Sequence, residues 1–298
     1  MGRTEGGGAA GRGGSDAVAT VDAHHHFWDP AVGDYPWLTE ELAPIRRRFA
    51  PEDLEPDLDA AGIQRSILVQ TRSSLEETRD LLATAAQTGF VAGVVGWADL
   101  GDQAIEDQLA AIRRWPGGDH LVGIRHQVHD EPDPGWLLRP EVQRGIGAVG
   151  AAGLVYDLLV RPRELAPAFR TAAQNPEVRF VVDHLAKPQI AAGRLDPDWE
   201  TGLARLATLP NVSCKLSGLV TEADWARWQP ADLAPYVNRA LDWFGPERCL
   251  FGSDWPVCLL AASYGRVHDT LRTLLARLDR VQRDRVFGGT AAEVYRLG

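Results

Sequence analysis

Eight short apolar runs alternate along this chain with longer segments whose apolar residues recur every three or four positions. Such runs are typical of parallel strands buried on both faces, and the longer segments have the period of helices that cover a sheet. The predicted strands span 20–26, 65–70, 91–98, 121–127, 153–158, 179–184, 211–216 and 249–253. The predicted helices span 74–88, 102–114, 140–152, 162–175, 199–209 and 233–244. Eight strands that alternate with helices in 298 residues predict an α/β fold, a single (β/α)8 TIM barrel.

The main alternative to a barrel is an open, doubly wound sheet, which uses the same alternation of strands and helices. No glycine-rich phosphate loop follows the first run, and this argues against a nucleotide-binding version of that sheet. The connection at 29–61 is long and rich in Trp, Pro and Arg. It predicts a loop over the mouth of the barrel, followed by a helix near 51–61.

The first twenty residues are dominated by glycine, alanine and charged residues, and they lack the apolar segment of a secretory signal. Segments of this composition cannot bury enough apolar surface to fold. The sequence therefore predicts a flexible N-terminal tail at 1–19 and one barrel domain at 20–298.

The composition is that of a soluble globular enzyme, with 45% hydrophobic and 24% charged residues. The net charge of -10 argues against nucleic acid or an anionic membrane as a partner. No apolar run reaches the roughly 18 residues of a membrane span. Cys214, Cys249 and Cys258 are odd in number and widely spaced, which favours reduced thiols over disulfides. We therefore expect a cytoplasmic enzyme with a small-molecule partner, and homo-oligomerisation is left open.

Histidine and aspartate residues gather where the predicted strands end, the edge at which barrel enzymes carry their active sites. Side chains alternate along a strand, so His24 and His26 share one face and His25 takes the other. His184 follows the sixth run and Asp254 the eighth. Taken singly, each has an ordinary explanation. His24 and His26 could be a hydrogen-bonded surface pair, His184 could be a hydrogen-bonded histidine at a strand end, and Asp254 could cap the following helix or loop. Together, two or three imidazoles and a carboxylate favour a site for Zn2+ or a similar divalent ion.

Further polar and aromatic side chains at this edge are predicted to contact the substrate. They are Trp28, Gln70, Arg125, His126, Tyr156 and Lys187. Arg125 and His126 face opposite ways, so we expect one of them to point into the barrel mouth. Arg125 can clamp a carboxylate or form a structural ion pair. Lys187 could either contact the substrate or lie on the surface. Trp28 could either stack on a substrate ring or pack in the core. Lys215, inside an apolar run, needs a buried partner and is predicted to face the site.

Four motifs contain most of these strand-end residues. They are Asp22-Ala-His24-His-His26-Phe-Trp-Asp29, Gly123-Ile-Arg125-His126-Gln127, Val182-Asp-His184-Leu-Ala-Lys187-Pro and Phe251-Gly-Ser-Asp254-Trp-Pro-Val. In this order they resemble the amidohydrolase superfamily, over nearly the whole chain after the tail. The resemblance is greatest to the amidohydrolase-related branch, which contains sugar lactonases of the L-fuconolactonase and L-rhamnonolactonase types and 2-pyrone-4,6-dicarboxylate hydrolase.

The resemblance implies a distorted (β/α)8 barrel that hydrolyses a carbon–oxygen or carbon–nitrogen bond. It implies metal-site positions at His24, His26, His184 and Asp254, with Asp254 also the general base. The cofactor that it implies is one divalent metal ion, zinc or manganese, which is dispensable in part of this group. Two-metal members carry a bridging lysine on the fourth strand, where this chain has Arg125. That departure favours one ion or none.

The expected reaction is hydrolysis of a sugar-derived lactone, in which Asp254 accepts a proton from the attacking water and later protonates the leaving alkoxide. Amide hydrolysis and non-oxidative decarboxylation of an aromatic acid are alternatives on the same scaffold. A more distant alternative is a non-catalytic protein that binds metal or sugar. Loops set specificity on this fold, so the pattern does not select one substrate among lactones.

Overall fold

Eight parallel strands pair in chain order in the computed structural model, which describes residues 19–298. They are β1 Val21–His25, β2 Arg65–Val69, β3 Val91–Gly96, β4 Leu121–His126, β5 Val155–Leu158, β6 Arg179–Val182, β7 Val212–Leu216 and β8 Cys249–Phe251. The ring closes just beyond β8, where Trp255 forms a parallel bridge with His25. There the amide of Asp254 also donates to the carbonyl of His24 over 2.8 Å. The predicted (β/α)8 barrel is confirmed, and the closure excludes the open sheet.

Helices surround the strands, and each of the seven predicted helical segments overlaps one of them, while the helices at 219–222, 264–274, 280–284 and 290–294 were not predicted. The helices are α1 Pro51–Ala61, α2 Leu75–Ala85, α3 Ile105–Ile112, α4 Pro140–Ala151, α5 Leu165–Gln174, α6 Pro197–Ala207, α7 Leu219–Glu222, α8 Pro230–Phe244, α9 Tyr264–Leu274, α10 Arg280–Asp284 and α11 Thr290–Val294. Local chemistry sets their ends. Ser74 caps α2 by accepting a hydrogen bond from the amide of Glu77. α1 begins at Pro51 and ends before Gly62, whose φ of 69° is the left-handed conformation that glycine adopts without strain.

The long connection between β1 and α1 covers one side of the barrel mouth. It contains the 3-10 helix Glu40–Ile45 and an antiparallel bridge between Trp28 and Phe49. The Trp28 ring also packs edge-to-face on Trp37, with 5.1 Å between the ring centroids. This packing gives the loop a defined conformation and brings Trp37 to the mouth.

The apolar core has two parts, one inside the barrel and one between the strands and the helices. The inner part is built from small and branched side chains that several strands contribute, such as Ile67, Val95, Val155 and Val181. The C-terminal segment packs against it, because Ala291 and Tyr295 belong to the same cluster.

The remaining bulk predictions concern the cysteines, the tail and membranes. Cys214, Cys249 and Cys258 are buried free thiols. Within the described residues, no helix combines the length and the apolar composition that a membrane crossing requires. The predicted tail at 1–19 lies outside the described residues, apart from Ala19.

Candidate active site

The first strand brings two of its three histidines together. The register between β1 and β2 shifts between Asp22 and His25. Nε2 of His24 lies 3.2 Å from Nε2 of His26. His25 faces away, and its Nε2 lies 2.8 Å from Oγ of Ser66. The three histidines therefore separate between the two faces as strand alternation predicts.

His184 and Asp254 complete what we call the mouth cluster, defined as His24, His26, His184 and Asp254. Oδ1 of Asp254 lies 3.4 Å from Nε2 of His26 and 3.8 Å from Nε2 of both His24 and His184. His184 and Asp254 have φ values of 52° and 59°, a left-handed conformation that costs free energy for residues other than glycine. Such outliers are found where the surrounding structure holds a functional side chain in place.

Two glycines make room for these imidazoles. A Cβ atom at Gly218 would lie 2.5 Å from Nδ1 of His184, and Gly218 has a φ of 63°. A Cβ atom at Gly252 would lie 2.7 Å from Cβ of His24. A side chain at either position would displace an imidazole, so the backbone next to the cluster has to be glycine.

The partners of the other ring nitrogens direct the Nε2 atoms into the cluster. Nδ1 of His26 lies 2.7 Å from the carbonyl oxygen of Val69. A carbonyl can only accept, so Nδ1 carries a proton, and Nε2 is the ring nitrogen that faces the cluster. Nδ1 of His184 has the hydroxyl of Ser217 as its partner at 2.9 Å. Outer partners of this kind orient histidines that bind metals.

Burial and charge set the protonation of the mouth cluster. Burial lowers the pKa of His184 to about 4, although Asp254 acts in the opposite direction. Burial also holds the pKa of His24 well below its usual value. For Asp254, burial acts to raise the pKa, but His184 and then His26 bring it well below its usual range. At neutral pH, His24 and His184 are neutral and Asp254 is ionised, the states that metal ligation requires.

The mouth cluster fits a divalent cation. The possible ligand atoms of His24, His26 and Asp254 lie within 4.8 Å of one another. Nε2 of His26 faces Nε2 of His24 and the ionised carboxylate of Asp254, and this arrangement is stabilised when a cation lies among them. Imidazole nitrogen with one carboxylate oxygen is a donor set that suits zinc.

Deeper in the barrel lies a second group, the floor cluster, defined as Asp157, Asp183, Lys215 and Tyr295. All four side chains are buried. Nζ of Lys215 lies 2.6 Å from Oδ2 of Asp157 and 3.0 Å from Oδ1 of Asp183. The hydroxyl of Tyr295 donates to Asp157 over 2.8 Å. Burial acts to raise the pKa of Asp183, but Lys215 and His24 hold it well below its usual range. Lys215, predicted to face the site, thus has two buried carboxylates as partners, and its Nζ also lies 3.2 Å from Nδ1 of His24 in the mouth cluster.

Arg125 connects the two clusters. Its Nη1 donates to Oδ2 of Asp183 over 3.0 Å and lies 3.3 Å from Nε2 of His24. Nη2 contacts the carbonyl oxygen of Gln70. The side-chain amide of Gln70 in turn donates to the carbonyl of Arg125 over 2.9 Å. Gln70 therefore contacts the backbone of β4 and holds Arg125.

The mouth cluster opens into a cavity of about 320 Å³. His26, His184, Asp254, Arg125 and Lys187 line it, so five of the predicted site residues meet there. Lys187 forms an ion pair with Glu222 over 2.6 Å. The apolar part of the wall consists of Trp37, Leu42, Leu159 and Val257. A cavity of this size and mixed lining suits a small polyhydroxylated molecule with an apolar side.

Four predicted substrate contacts lie outside the cavity lining: Gln70, described above, and three aromatic side chains. His126 stacks on Trp136, with 4.2 Å between the ring centroids, and its Nε2 lies 2.8 Å from Oε1 of Glu131. Tyr156 is fully buried on the helix side of β5, in the outer core. Trp28 donates its indole N–H to the carbonyl of Ile45 over 3.1 Å. None of the three is among the residues that line the cavity.

The structure also brings residues to the cavity that the sequence prediction left out. They are Thr71, Gln127, His129, Asp130 and Arg161. All of them follow the carboxyl ends of β2, β4 or β5. Their position after a strand is the sequence feature that could have identified them. Arg161 and Lys187 also border a neighbouring groove of about 1030 Å³ between α5 and α6. The cavity and the groove therefore share part of their wall.

Comparison with known proteins decides the family. The sequence profile of the amidohydrolase family matches residues 21–297. The chain belongs to the amidohydrolase family. This amidohydrolase is 42% identical over 285 residues to an L-fucono-1,5-lactonase from Burkholderia ambifaria, with 93% of this chain and 95% of that protein covered. The resemblance seen in the four motifs is thereby confirmed, and the protein is a hydrolase of the amidohydrolase superfamily.

Solved structures of other proteins have the same fold as this amidohydrolase. A crystal structure of an amidohydrolase from Burkholderia multivorans with bound zinc has a TM-score of 0.90 and 38% identity to it, over 94% of this chain and 100% of that one. A 2,6-dihydroxybenzoate decarboxylase has a TM-score of 0.63 but only 14% identity, over 94% and 99% of the two chains. The decarboxylase therefore shares the fold and carries no argument about the reaction.

Proposed function

We propose that this amidohydrolase is a sugar lactonase that opens a 1,5-lactone of an aldonic acid. The observation that carries the proposal is that the imidazoles of His26 and His184 and the ionised carboxylate of Asp254 line a cavity of about 320 Å³, with His24 buried against them. The L-fucono-1,5-lactonase at 42% identity supports the choice of substrate class. L-Fucono-1,5-lactone is the first substrate to test, because it combines several hydroxyl groups with one methyl group. That combination matches the mixed polar and apolar lining of the cavity.

In the proposed reaction, a water oxygen forms a bond to the ring carbonyl carbon while Asp254 accepts a proton from that water. The bond between the carbonyl carbon and the ring oxygen then breaks. Asp254 returns its proton to the alkoxide that leaves, so the products are an aldonic acid and an unchanged enzyme. Asp254 suits this role because it is ionised and borders the cavity.

The residues that would hold a metal ion are His24, His26, His184 and Asp254. We propose a single ion, zinc or manganese, because β4 carries Arg125 where a bridging ligand would be needed. When bound, such an ion polarises a carbonyl or lowers the pKa of a water molecule. We include the ion as an optional part of the site, since Asp254 is ionised and can accept a proton in its absence.

Substrate recognition falls to the cations that border the cavity. Arg125 and Lys187 donate hydrogen bonds only, so they suit the oxygen atoms of a lactone and of the carboxylate product. Gln70 would act through Arg125, which it holds. His126, Tyr156 and Trp28 would act through packing, since they lie outside the cavity lining. The buried free thiols favour the cytoplasm as the location of this small-molecule enzyme.

Purified protein assayed against a panel of lactones tests the reaction class. A pH indicator reports ring opening, each rate is corrected for hydrolysis in buffer alone, and carbon dioxide release is followed with aromatic acids. We expect L-fucono-1,5-lactone and related aldono-1,5-lactones to react fastest, with no carbon dioxide release. Turnover of amides or aromatic acids alone would refute the proposal. Binding of a lactone without turnover would favour the non-catalytic alternative.

The metal is tested separately from the reaction. Protein treated with a chelator, and shown by elemental analysis to be free of metal, is assayed before and after addition of zinc or manganese. Activity that returns only with the ion would make it a required cofactor. Full activity without the ion would remove it from the mechanism and leave the lactonase proposal intact.

A further inference from the structure

A guanidinium group lies directly beside one of the proposed metal-binding nitrogens. Nη1 of Arg125 is 3.3 Å from Nε2 of His24, within the distance of a hydrogen bond. The Arg125 side chain is 4% exposed, so bulk water screens its charge little. This contact is independent of the contacts among the members of the mouth cluster.

The guanidinium lies where a metal ion would have to approach Nε2 of His24. A guanidinium group has only N–H donors and keeps its positive charge, whereas a metal ion needs the lone pair of Nε2. Nδ1 of His24 lies 3.4 Å from Oδ1 of Asp183 and 3.2 Å from Nζ of Lys215, so either tautomer of the ring has a partner there. In both tautomers a cation bound at Nε2 would lie beside the guanidinium charge, and the lone pair that binds the cation could not also accept from Arg125.

Arg125 is also held in its position. Its Nη1 donates to Asp183 over 3.0 Å, and its Nη2 contacts the carbonyl of Gln70. Asp183 itself is fixed by Lys215 at 3.0 Å. Moving the guanidinium away from His24 would break these buried, charge-assisted hydrogen bonds, which are the stronger kind in proteins.

We propose that Arg125 is a built-in competitor of the metal ion for His24. It weakens the binding of the ion and keeps a positive charge beside His24 when the ion is absent. The inference rests on the metal site of the proposed function, but it concerns ion binding and not turnover. Arginine keeps its charge at all physiological pH values, so the competition operates across the working range of the enzyme.

Titration of metal-free protein with zinc tests this proposal, with isothermal calorimetry or a chromophoric competitor as the readout. In Arg125→Gln the competing cation is gone, and Asp183 keeps Lys215 as a partner. We expect the zinc affinity of this variant to rise about tenfold, the size of effect that groups next to metal ligands typically have. An unchanged or weaker affinity overturns the proposal, and so does the absence of zinc binding in both proteins.

Arg161→Gln is the matched control. Arg161 lines the same cavity but makes no hydrogen bond or ion pair with the four proposed ligands in the described part of the chain. Its zinc affinity is expected to equal that of the unmodified protein, and a rise equal to that of Arg125→Gln would overturn the proposal.

If Arg125→Gln does not fold, Arg125→Lys replaces it, because an ammonium group lacks the planar pair of nitrogens that reaches Asp183 and His24 together. We expect a smaller rise there, and no rise overturns the proposal. Zinc binding is measured without substrate, so failure of the lactonase proposal leaves this test valid.

Discussion

The mouth cluster and the floor cluster are both buried, both polar and both built on strands of the same barrel, yet they are satisfied in different ways. In the floor cluster, the carboxylates of Asp157 and Asp183 are matched by Lys215 and by the neighbouring Arg125. In the mouth cluster, one carboxylate stands among three imidazoles, and Nε2 of each imidazole lies within 3.8 Å of Oδ1 of Asp254. Each carboxylate of the floor cluster has a buried cation within 3.0 Å, whereas, among residues 19–298, the carboxylate of the mouth cluster has only imidazoles as neighbours and borders a cavity.

This difference separates two uses of buried polar groups. A buried charge is tolerated when it is paired, and removing one partner leaves the other uncompensated. The floor cluster therefore ties β5, β6, β7 and the C-terminal segment together. Groups left without internal partners, next to a cavity, are available for chemistry. Substitutions in the two clusters should accordingly affect different quantities, activity for the mouth and stability for the floor.

The largest expected effect is that of Asp254→Asn in the mouth cluster. The amide keeps the shape of the side chain but cannot accept the proton, so we expect kcat to fall by about 10²- to 10⁴-fold. The unfolding temperature should stay close to that of the unmodified protein. Initial rates on the best lactone and thermal unfolding by circular dichroism measure the two quantities. Near-normal turnover would show that Asp254 is not the base.

Lys215→Met in the floor cluster is expected to have the next largest effect. It leaves two buried carboxylates without their ammonium partner, so we expect the free energy of unfolding to fall by about 3–5 kcal/mol, as measured by urea denaturation. Lys187→Met is the control, because it removes a partly exposed ion pair and should cost at most about 1 kcal/mol. Equal losses of stability in the two variants would contradict the conclusion that the floor cluster stabilises the fold through its buried ion pairs.

Tyr295→Phe tests the floor cluster more gently. The hydroxyl, which has a single proton to donate, lies 2.8 and 2.9 Å from the two oxygens of Asp157. Its removal should cost about 2 kcal/mol of stability, the range for a hydrogen bond to a charged group. Turnover should change little, because Tyr295 does not border the cavity. A large loss of kcat with unchanged stability would assign Tyr295 to the reaction instead.

The smallest expected effect is that of Ser217→Ala beside the mouth cluster. Ser217 is the partner of Nδ1 of His184, so its loss should weaken zinc binding about tenfold. Ser66→Ala is a matched control, since Ser66 is the partner of His25 on the opposite face. Zinc titration of both variants checks this prediction. A loss of affinity in Ser66→Ala would mean that His25 belongs to the site after all.

Much of the active-site edge could be predicted because it depends on local pattern. Polar residues at the ends of apolar runs meet at one edge of a parallel barrel, whatever the details of packing. His24, His26, His184, Asp254, Arg125 and Lys187 were found in this way, and the structure brings them around one cavity or next to it. Their roles as ligands, base and substrate contacts stay predictions until the experiments above are done.

Side-chain direction at the strand ends could not be predicted in the same way. Tyr156 and Asp157 are neighbours in a strand that is buried on both faces, so composition does not tell which one faces inward. For Arg125 and His126 the sequence likewise does not tell which side chain faces inward. In the structure His126 stacks on Trp136, whereas Arg125 reaches the cavity. A shift of the strand register by one residue would exchange the side chain that faces inward with its neighbour.

The sequence by itself determined the barrel, its eight strands and the edge at which the chemistry lies, because period and strand-end polarity are local properties. Only the tertiary structure decided which charges pair inside it. Lys215 meets Asp157 from 58 positions away, and Tyr295 reaches the same carboxylate from 138 positions away. The contact between Arg125 and His24 likewise joins β4 to β1 across 101 positions. Such pairings arise from burial in a shared interior of low dielectric, where an unpaired charge is costly, and no local pattern records them.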